Sequence, residues 1–174
     1  MLHRRCHQPV VHAVGQVAMW FSNLELWLEG ALIQLLASQG GDPASKKELE
    51  QIAQAIAVEM SFDRKVHAFY SVYKIKYPAE AEDEELKAIV NDLFAVQDER
   101  NSILHSAWSC DENGELTGRL KSSAKASRSR GLRRRMLSAE AEEIFAVARH
   151  IADVGQRFGL FCKQRIQDRA RDAG

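Results

Sequence analysis

The sequence has little of what breaks helices and little of what cross-links small secreted domains. It contains 3 prolines, 10 glycines and 3 cysteines among 174 residues. Scarce helix breakers favour long helices. The cysteines, Cys6, Cys110 and Cys162, are far apart and odd in number, so they favour a reducing, cytoplasmic location over a disulfide framework. We expect residues 1–174 to form a single domain, because this length is enough for one core.

Long apolar runs and an excess of charge are also missing. The most apolar stretch near the start, residues 10–21, is interrupted by His12, Gly15 and Gln16, so no segment is expected to cross a membrane. Lysine plus arginine and aspartate plus glutamate both number 24, which leaves no formal net charge. Nothing therefore draws the chain as a whole toward a nucleic acid or an anionic surface.

Common catalytic and ligand-binding motifs are absent as well. The sequence has no Gly-rich phosphate loop, no nucleophile elbow and no pair of carboxylates at a credible spacing. Four residues near the start, His3, Cys6, His7 and His12, are of metal-binding type, but their spacing matches no closed zinc site. We therefore expect no metal and no cofactor.

Helical periodicity dominates what is present, and it predicts an all-α, up-and-down bundle of about five helices. The expected helices run from Pro9 to about Ala37, from Ala44 to Met60, from the cap Ser61 to just before Pro78, from Glu84 to about Trp108, and onward from the cap Ser138.

Two of these helices raise questions about their faces. The first has an inward stripe and a second apolar set, which predicts either burial against another subunit or the central helix of a monomeric bundle. The stripe is Val10, Val14, Val17, Phe21, Leu24, Leu28, Ala31 and Leu35, and the second set is Trp20, Leu26, Trp27 and Ile33. In the second helix the predicted inward residues are Leu49, Ile52, Ile56 and Val58 or Met60.

Residues 109–137 differ from the helical remainder and predict a loop or a small β-hairpin. A turn signal covers residues 111–114, and short segments near 116–120 and 133–137 suit strands. Within it, residues 119–135 hold eight basic residues and no acid, which suits either binding of phosphates or a solvated loop. Its last arginines could also contact the acidic segment 80–85 of another chain. The basic residues are Arg119, Lys121, Lys125, Arg128, Arg130, Arg133, Arg134 and Arg135.

Polar residues interrupt the apolar stripe of the fourth helix. Continuing that stripe from Leu93 by threes and fours leads to Gln97, Arg100 and Asn101. A buried arginine is costly unless it is paired or used. His105, which can gain or lose a proton near neutral pH, follows five residues later. An ideal helix would separate the two by roughly 140°, so arginine reach, a frayed helix end or a symmetry mate must bring them together.

The pattern Arg100-Asn101-x-x-x-His105, late in a helical chain, resembles the HEPN superfamily and its R-x4-6-H motif. The resemblance covers residues 9–108 and 138–165 and leaves 109–137 as an elaboration. It implies a metal-independent endoribonuclease, often a toxin or defence protein, with a composite active site at a homodimer interface. Arg100 and His105 would then be the catalytic pair, with Asn101 as a positioning residue. An antitoxin partner stays open.

The chemistry is consistent with those residue types. Cleaving RNA without metal needs a base for the 2′-hydroxyl, an acid for the leaving oxygen and a cation for the phosphorane. The alternatives are a non-catalytic module of the same family, binding nucleotide, RNA or a protein partner, and a plain structural dimer. In the latter case Arg100 would pair with Glu25, Glu29 or Asp98, and His105 would cap the helix end.

Overall fold

The structure is a computed structural model that describes residues 8–37, 42–80, 82–112, 116–123, 133–137 and 140–167. Its five α-helices are α1 (Gln8–Ala37), α2 (Pro43–Val58), α3 (Phe62–Lys76), α4 (Glu84–Leu104) and α5 (Ala141–Cys162). Short 3-10 and π segments follow at Pro78–Glu80 and Lys163–Gln167. The predicted all-α bundle with a small β elaboration is confirmed.

A small antiparallel sheet occupies the region between α4 and α5. Its strands are β1 (Ala107–Cys110), β2 (Leu116–Ser123) and β3 (Arg133–Leu137), in the order β1-β2-β3. The sequence predicted β2 and β3 but missed β1, because Trp108 continued the apolar stripe of the preceding helix. In the structure Trp108 pairs with Arg119 across the β1–β2 ladder.

Local capping explains where two helices begin. The Asp42 carboxylate accepts hydrogen bonds from the backbone N–H groups of Ala44 and Ser45, and Pro43 occupies the first turn of α2. Asp83 caps α4 in the same way, through Glu85 and Leu86. These side chains satisfy N–H groups that a helix start leaves without intrahelical partners.

The core lies mainly between α1 and the helices that surround it. The predicted α1 stripe is buried except for Val14, which is half-buried. Between α3 and α5, the aromatic rings of Phe69, Tyr73, Phe158 and Phe161 pack with centroids 5.2 to 6.1 Å apart. Such rings bury large apolar areas, so this cluster fixes α3 against α5.

Three sequence predictions about these elements were wrong. Helix α4 ends at Leu104, not near Trp108, because the chain turns into β1. The N-cap position of α5 is taken by Glu140, and Ser138 lies outside the described residues. In α2 the buried residues are Ala53 and Ala57, whereas Ile52, Ile56 and Val58 are about half exposed, at 49%, 51% and 56%. Small alanine side chains let α2 approach α1 closely, which turns the larger side chains outward.

No helix among the described residues combines the length and the apolar character needed to cross a membrane. Some of the exposed apolar side chains border two open spaces on the bundle surface. Leu26, Trp27 and Leu160 border a groove of about 580 Å³ between α1 and α5. Val11 and Trp108 border a smaller apolar cavity of about 310 Å³ between α1 and the sheet.

Candidate active site at the end of helix α4

Arg100 and His105 are in direct contact. Arg100 Nη1 lies 3.1 Å from His105 Nε2 and 2.9 Å from Asn101 Oδ1. His105 is the C-cap of α4, with φ −105° and ψ 16°, so it has already left the helical path. The reach of arginine and the end of the helix together close the angle that a straight helix would leave open. A second chain is not needed for this contact.

A hydrogen bond between Arg100 and His105 requires one particular tautomer of His105. An arginine can only donate hydrogen bonds, so His105 Nε2 must accept with a free lone pair. The imidazole in this arrangement is therefore neutral and carries its proton on Nδ1. Both hydrogens of Nη1 are used, one by Asn101 and one by His105, which leaves those of Nη2 for another partner.

Asn101 helps to position both members of the pair. Its side-chain oxygen holds Arg100, while its backbone carbonyl accepts the backbone N–H of His105 at 3.2 Å. The His105 side chain does not itself cap a carbonyl of α4 among the described residues. His105 does cap α4, as the structural alternative expected, but it does so through its backbone N–H, which donates to the carbonyl oxygens of Asn101 and Ile103.

Arg100 has no carboxylate partner among the described residues. Its guanidinium carbon lies 5.0 Å from the centroid of the Phe21 ring, a cation–π arrangement. Its Nε is buried and makes no hydrogen bond to a described group. An incompletely satisfied, half-buried guanidinium is costly to the fold. The expected pairing of Arg100 with Glu25, Glu29 or Asp98 is contradicted.

Lys65 takes two of those carboxylates. Its Nζ lies 3.2 Å from Glu25 Oε1 and 2.9 Å from Glu29 Oε2, and its side chain is 4% exposed. Burial acts against the ammonium, but the hydrogen bonds and charges of Glu29 and Glu25 outweigh it and raise the pKa of Lys65. Lys65 thus pairs with Glu25, the acid that lines the same cavity as Arg100.

A cavity of about 250 Å³ adjoins the guanidinium. It lies where α1, the start of α3 and the last turns of α4 meet, so one side is formed by Arg100 itself. Its walls are Phe21 and Glu25 from α1, Ser61 and Phe62 at the start of α3, and Gln97, Arg100 and Asn101 from α4. The site therefore offers a cation, a neutral imidazole and an open space in succession.

The sheet anchors the end of α4. Arg119 Nη1 donates to the carbonyl oxygen of Ser102 and, at 3.0 Å, to its hydroxyl oxygen. The Ser106 hydroxyl donates to the same carbonyl. Burial lowers the pKa of Arg119, and the charge of Glu143 partly offsets this effect. Arg119 therefore satisfies an α4 carbonyl three residues before His105, which gives it a positioning role that the sequence did not suggest.

The other predicted phosphate-binding residues are placed less fully. Lys121 lies on β2 opposite Arg135 of β3, and Arg133 and Arg134 precede it on the same strand. Lys125, Arg128 and Arg130 lie outside the described residues. The sheet thus brings Lys121 and the three consecutive arginines of β3 together along the backbone.

Polar side chains also link the helices to one another and to the segment 80–85. His150 Nδ1 lies 2.9 Å from Glu99 Oε2, and Arg157 Nη1 lies 2.6 Å from Asp92 Oδ2, so both tie α5 to α4. The acidic segment 80–85, which the sequence offered as one possible contact for the β3 arginines of another chain, has basic partners within this chain. Arg165 pairs with Glu80, Asp83 and Glu85, and Lys74 and Lys87 pair with Glu82.

No metal centre is visible across the described part of the chain, where no three histidine, cysteine or acidic side chains converge on one point. His12 of the suspected N-terminal set contacts Gln16 and the ring of Phe145. His3, Cys6 and His7 lie outside the described residues.

Sequence reasoning missed Phe21, Ser61, Phe62 and Lys65 as parts of this site. One signal was available for Lys65, which stands beside Val66 on the buried stripe of α3 and needs a carboxylate there. No local pattern marked the others, because their proximity depends on how α1, α3 and α4 pack. Gln97 was noticed as a polar break in the stripe of α4.

The site is thus an unneutralised arginine, a neutral histidine and a small cavity at one end of the bundle. It is defined by contacts within this chain alone. No protein-family model matches the chain, and comparison with curated proteins and with solved structures gives no match either.

Proposed function

We propose that the chain is an HEPN-like, metal-independent endoribonuclease with Arg100 and His105 as its catalytic pair. The observation that carries the proposal is the contact between them, in which a guanidinium without a described carboxylate partner holds a neutral imidazole at 3.1 Å. The structural arginines of this chain are held by backbone or carboxylate oxygens, as Arg119 is by Ser102 and Arg165 is by three acids, whereas Arg100 keeps N–H groups that a phosphate can bind.

The geometry suggests how substrate engages the pair. A phosphate first meets the free hydrogens of Arg100 Nη2 and then replaces His105 on Nη1, which gives a two-pronged contact. Release from Arg100 frees the Nε2 lone pair of His105 to take the proton of the 2′-hydroxyl. The 2′-oxygen then bonds to phosphorus, and the bond from phosphorus to the 5′-oxygen breaks. The products carry a 2′,3′-cyclic phosphate and a 5′-hydroxyl.

One proton-transfer group per site is not enough for both ends of this reaction. The leaving 5′-oxygen needs a proton. The His105 of a second copy of the chain would supply it from Nε2, after that imidazole has left its own Arg100 and taken up a second proton from solvent to become an imidazolium. An exposed apolar surface close to His105 supports such a homodimer: Val11 is 66% exposed and borders, with Trp108 and Leu116, the apolar cavity near the sheet. Trp27, at 44% exposure, offers a second surface at the α1–α5 groove.

A non-catalytic module that binds a nucleotide or RNA is the second candidate. The observation that favours it is the hydrogen bond that occupies His105 Nε2, since a histidine used only to orient Arg100 would have this geometry. In that case Arg100 binds phosphate and no bond is cleaved. A toxin or defence role with an antitoxin partner belongs to the first candidate and rests on the family resemblance.

The decisive experiment is cleavage of a labelled RNA pool in the presence of EDTA. His105→Ala and Arg100→Ala should each reduce cleavage by at least ~10²-fold. Arg100→Lys should restore only part of it, because an ammonium cannot make the two-pronged contact. Arg165→Ala is the control. Arg165 lies in the segment after α5 and contacts acids at the start of α4, far from the Arg100–His105 pair, so cleavage by folded protein should be unchanged.

Each outcome separates the candidates. Undiminished cleavage by His105→Ala would rule out the proposed mechanism, as would products without a cyclic phosphate. RNA binding that Arg100→Ala abolishes, with no cleavage by the wild type, would establish the binding module instead. Sedimentation at micromolar concentration tests the composite site, which an active protein that stays monomeric would contradict.

A further inference from the structure

The cavity beside Arg100 has the size of a site for one planar ring system. Its volume of about 250 Å³ lies below the range of roughly 300–1,000 Å³ typical of pockets for drug-sized ligands. Because Arg100 lines it, a phosphate bound to the guanidinium would place an adjacent nucleoside at the entrance.

Flat groups line one side of this space. The rings of Phe21 and Phe62 lie 4.6 Å apart between centroids and are almost fully buried, so they form an apolar floor. The Arg100 guanidinium covers Phe21 and presents a planar surface. Nucleobases stack well on arginine planes and aromatic rings, and such stacking accepts any base.

The polar groups make the cavity selective among bases. Glu25 gives Oε1 to Lys65, and its Oε2 makes no hydrogen bond to a described residue. The hydroxyl of Ser61 donates its hydrogen to Asp63 at 2.8 Å, which leaves only lone pairs for the cavity. Both groups therefore accept hydrogen bonds. Asn101 uses its oxygen to hold Arg100, so its amide nitrogen is the complementary donor.

We propose that this cavity is a nucleobase subsite that prefers bases with an exocyclic amino group, adenine, cytosine or guanine, over uracil. An exocyclic amino group has two hydrogens, one for each of the acceptors Glu25 and Ser61. Uracil has a single donor on this edge, N3–H, and the carbonyl oxygens on either side of it would meet the second acceptor. The subsite deepens the proposed ribonuclease function and rests on it, because Arg100 supplies the phosphate contact next to the base.

The test compares wild type with Glu25→Gln and Glu29→Gln. Each substitution removes one of the two carboxylates that pair with Lys65, but only Glu25 lines the cavity. In a random-sequence RNA pool, wild type should disfavour uracil roughly tenfold at one nucleotide flanking the cut, the scale of a good base-edge contact. Glu25→Gln introduces an amide N–H that can donate to a carbonyl oxygen of uracil, so the preference against uracil should disappear or reverse. Glu29→Gln should keep it.

A second measurement does not depend on cleavage. Binding of 3′-AMP, 3′-CMP, 3′-GMP and 3′-UMP, followed by NMR titration, should show the same order in wild type and Glu29→Gln, and should lose it in Glu25→Gln. If this pattern appears in a protein that cleaves no RNA, the subsite stands and the ribonuclease function is wrong.

The opposite result is equally informative. Cleavage without any base preference leaves the ribonuclease intact and overturns the subsite. Equal effects of Glu25→Gln and Glu29→Gln also overturn it, because they would show that the charge near Lys65 matters and contact with the base does not. If the protein neither cleaves RNA nor shows a base preference in binding, both proposals are wrong.

Discussion

The two ends of helix α4 each have an arginine nearby, and the two arginines differ in how their charge is balanced. At the N-terminal end Arg165 approaches three carboxylates, those of Glu80, Asp83 and Glu85, at 3.2 to 3.4 Å. At the C-terminal end Arg100 has none among the described residues and contacts a histidine, an amide and an aromatic ring instead. The first arginine ties segments of the chain together, whereas the second keeps its charge available.

An arginine in an apolar stripe therefore indicates a cost to the fold but not how that cost is offset. Three-dimensional packing decides it. Lys65 occupies Glu25 and Glu29, the acids that the sequence offered to Arg100, and so keeps the C-terminal end of α4 without a neutralising partner. Active sites commonly hold charges without a counter-charge, which lowers the stability of the fold but leaves those charges available to a ligand.

Removing Lys65 should break this contrast, with the largest expected effect on folding. Lys65→Met leaves Glu25 and Glu29 without their cation, so the free energy of unfolding should fall by about 3 kcal/mol in urea titrations, the low end for a broken buried pair. Freed Glu25 can then turn to Arg100, so cleavage should fall as well. Lys74→Met is the matched control, since its pair with Glu82 at 3.7 Å is exposed and should contribute less than ~1 kcal/mol. Equal losses of stability in the two variants would contradict the role of Lys65.

The pH dependence of the same variant has a defined sign. The pKa of Lys65 is raised above its ordinary value of 10.5 in the folded chain. Its contribution to stability is therefore fully present below pH 10.5 and is lost as the pH rises through the folded value. The stability difference between wild type and Lys65→Met should stay constant from neutral pH up to that value, where Glu25 and Glu29 are ionised, and shrink above it.

A new carboxylate beside Arg100 should make the two ends of α4 alike. Gln97 lies three residues before Arg100 and lines the same cavity, so Gln97→Glu places an acid within reach of the guanidinium. We expect about a tenfold loss of cleavage together with a rise of about 1 kcal/mol in the free energy of unfolding. Gln156→Glu adds the same charge on an exposed position of α5 and should change neither quantity. A loss of stability in Gln97→Glu would show that Arg100 is not short of a partner.

The helices followed from the sequence because their signals are local. Caps such as Asp83 and the buried stripe of α1 depend on neighbouring residues, so the start of α4 and the inward face of α1 were predicted correctly. The end of α4 was not, because Trp108 suits a helix stripe and a strand equally well until β2 pairs with it. The face of α2 was also misassigned, since large isoleucines outweigh alanines in any hydrophobic pattern.

Only part of the candidate site could be predicted from the sequence. The motif identified Arg100, Asn101 and His105, and the helix geometry raised the right question about their separation. It could not reveal the Phe21 ring below the guanidinium, because Phe21 belongs to α1 and is 79 positions away in the sequence. The alternative that paired Arg100 with Glu25 or Glu29 failed because Lys65 of α3, which the sequence did not relate to α1, binds both acids.

The last and smallest expected effect concerns two kinds of arginine in and beside the sheet. Arg119 is hydrogen-bonded to Ser102, so Arg119→Gln should cost about 1 kcal/mol of stability and leave the salt dependence of RNA affinity nearly unchanged. If β3 contacts phosphates, replacing Arg133, Arg134 and Arg135 by glutamine should reduce the slope of log affinity against log salt concentration by up to ~3. Filter binding of labelled RNA across a salt series measures both slopes. Equal slopes in wild type and the triple variant would identify the β3 arginines as a solvated surface, and a large change of slope in Arg119→Gln would show that Arg119 also reaches RNA.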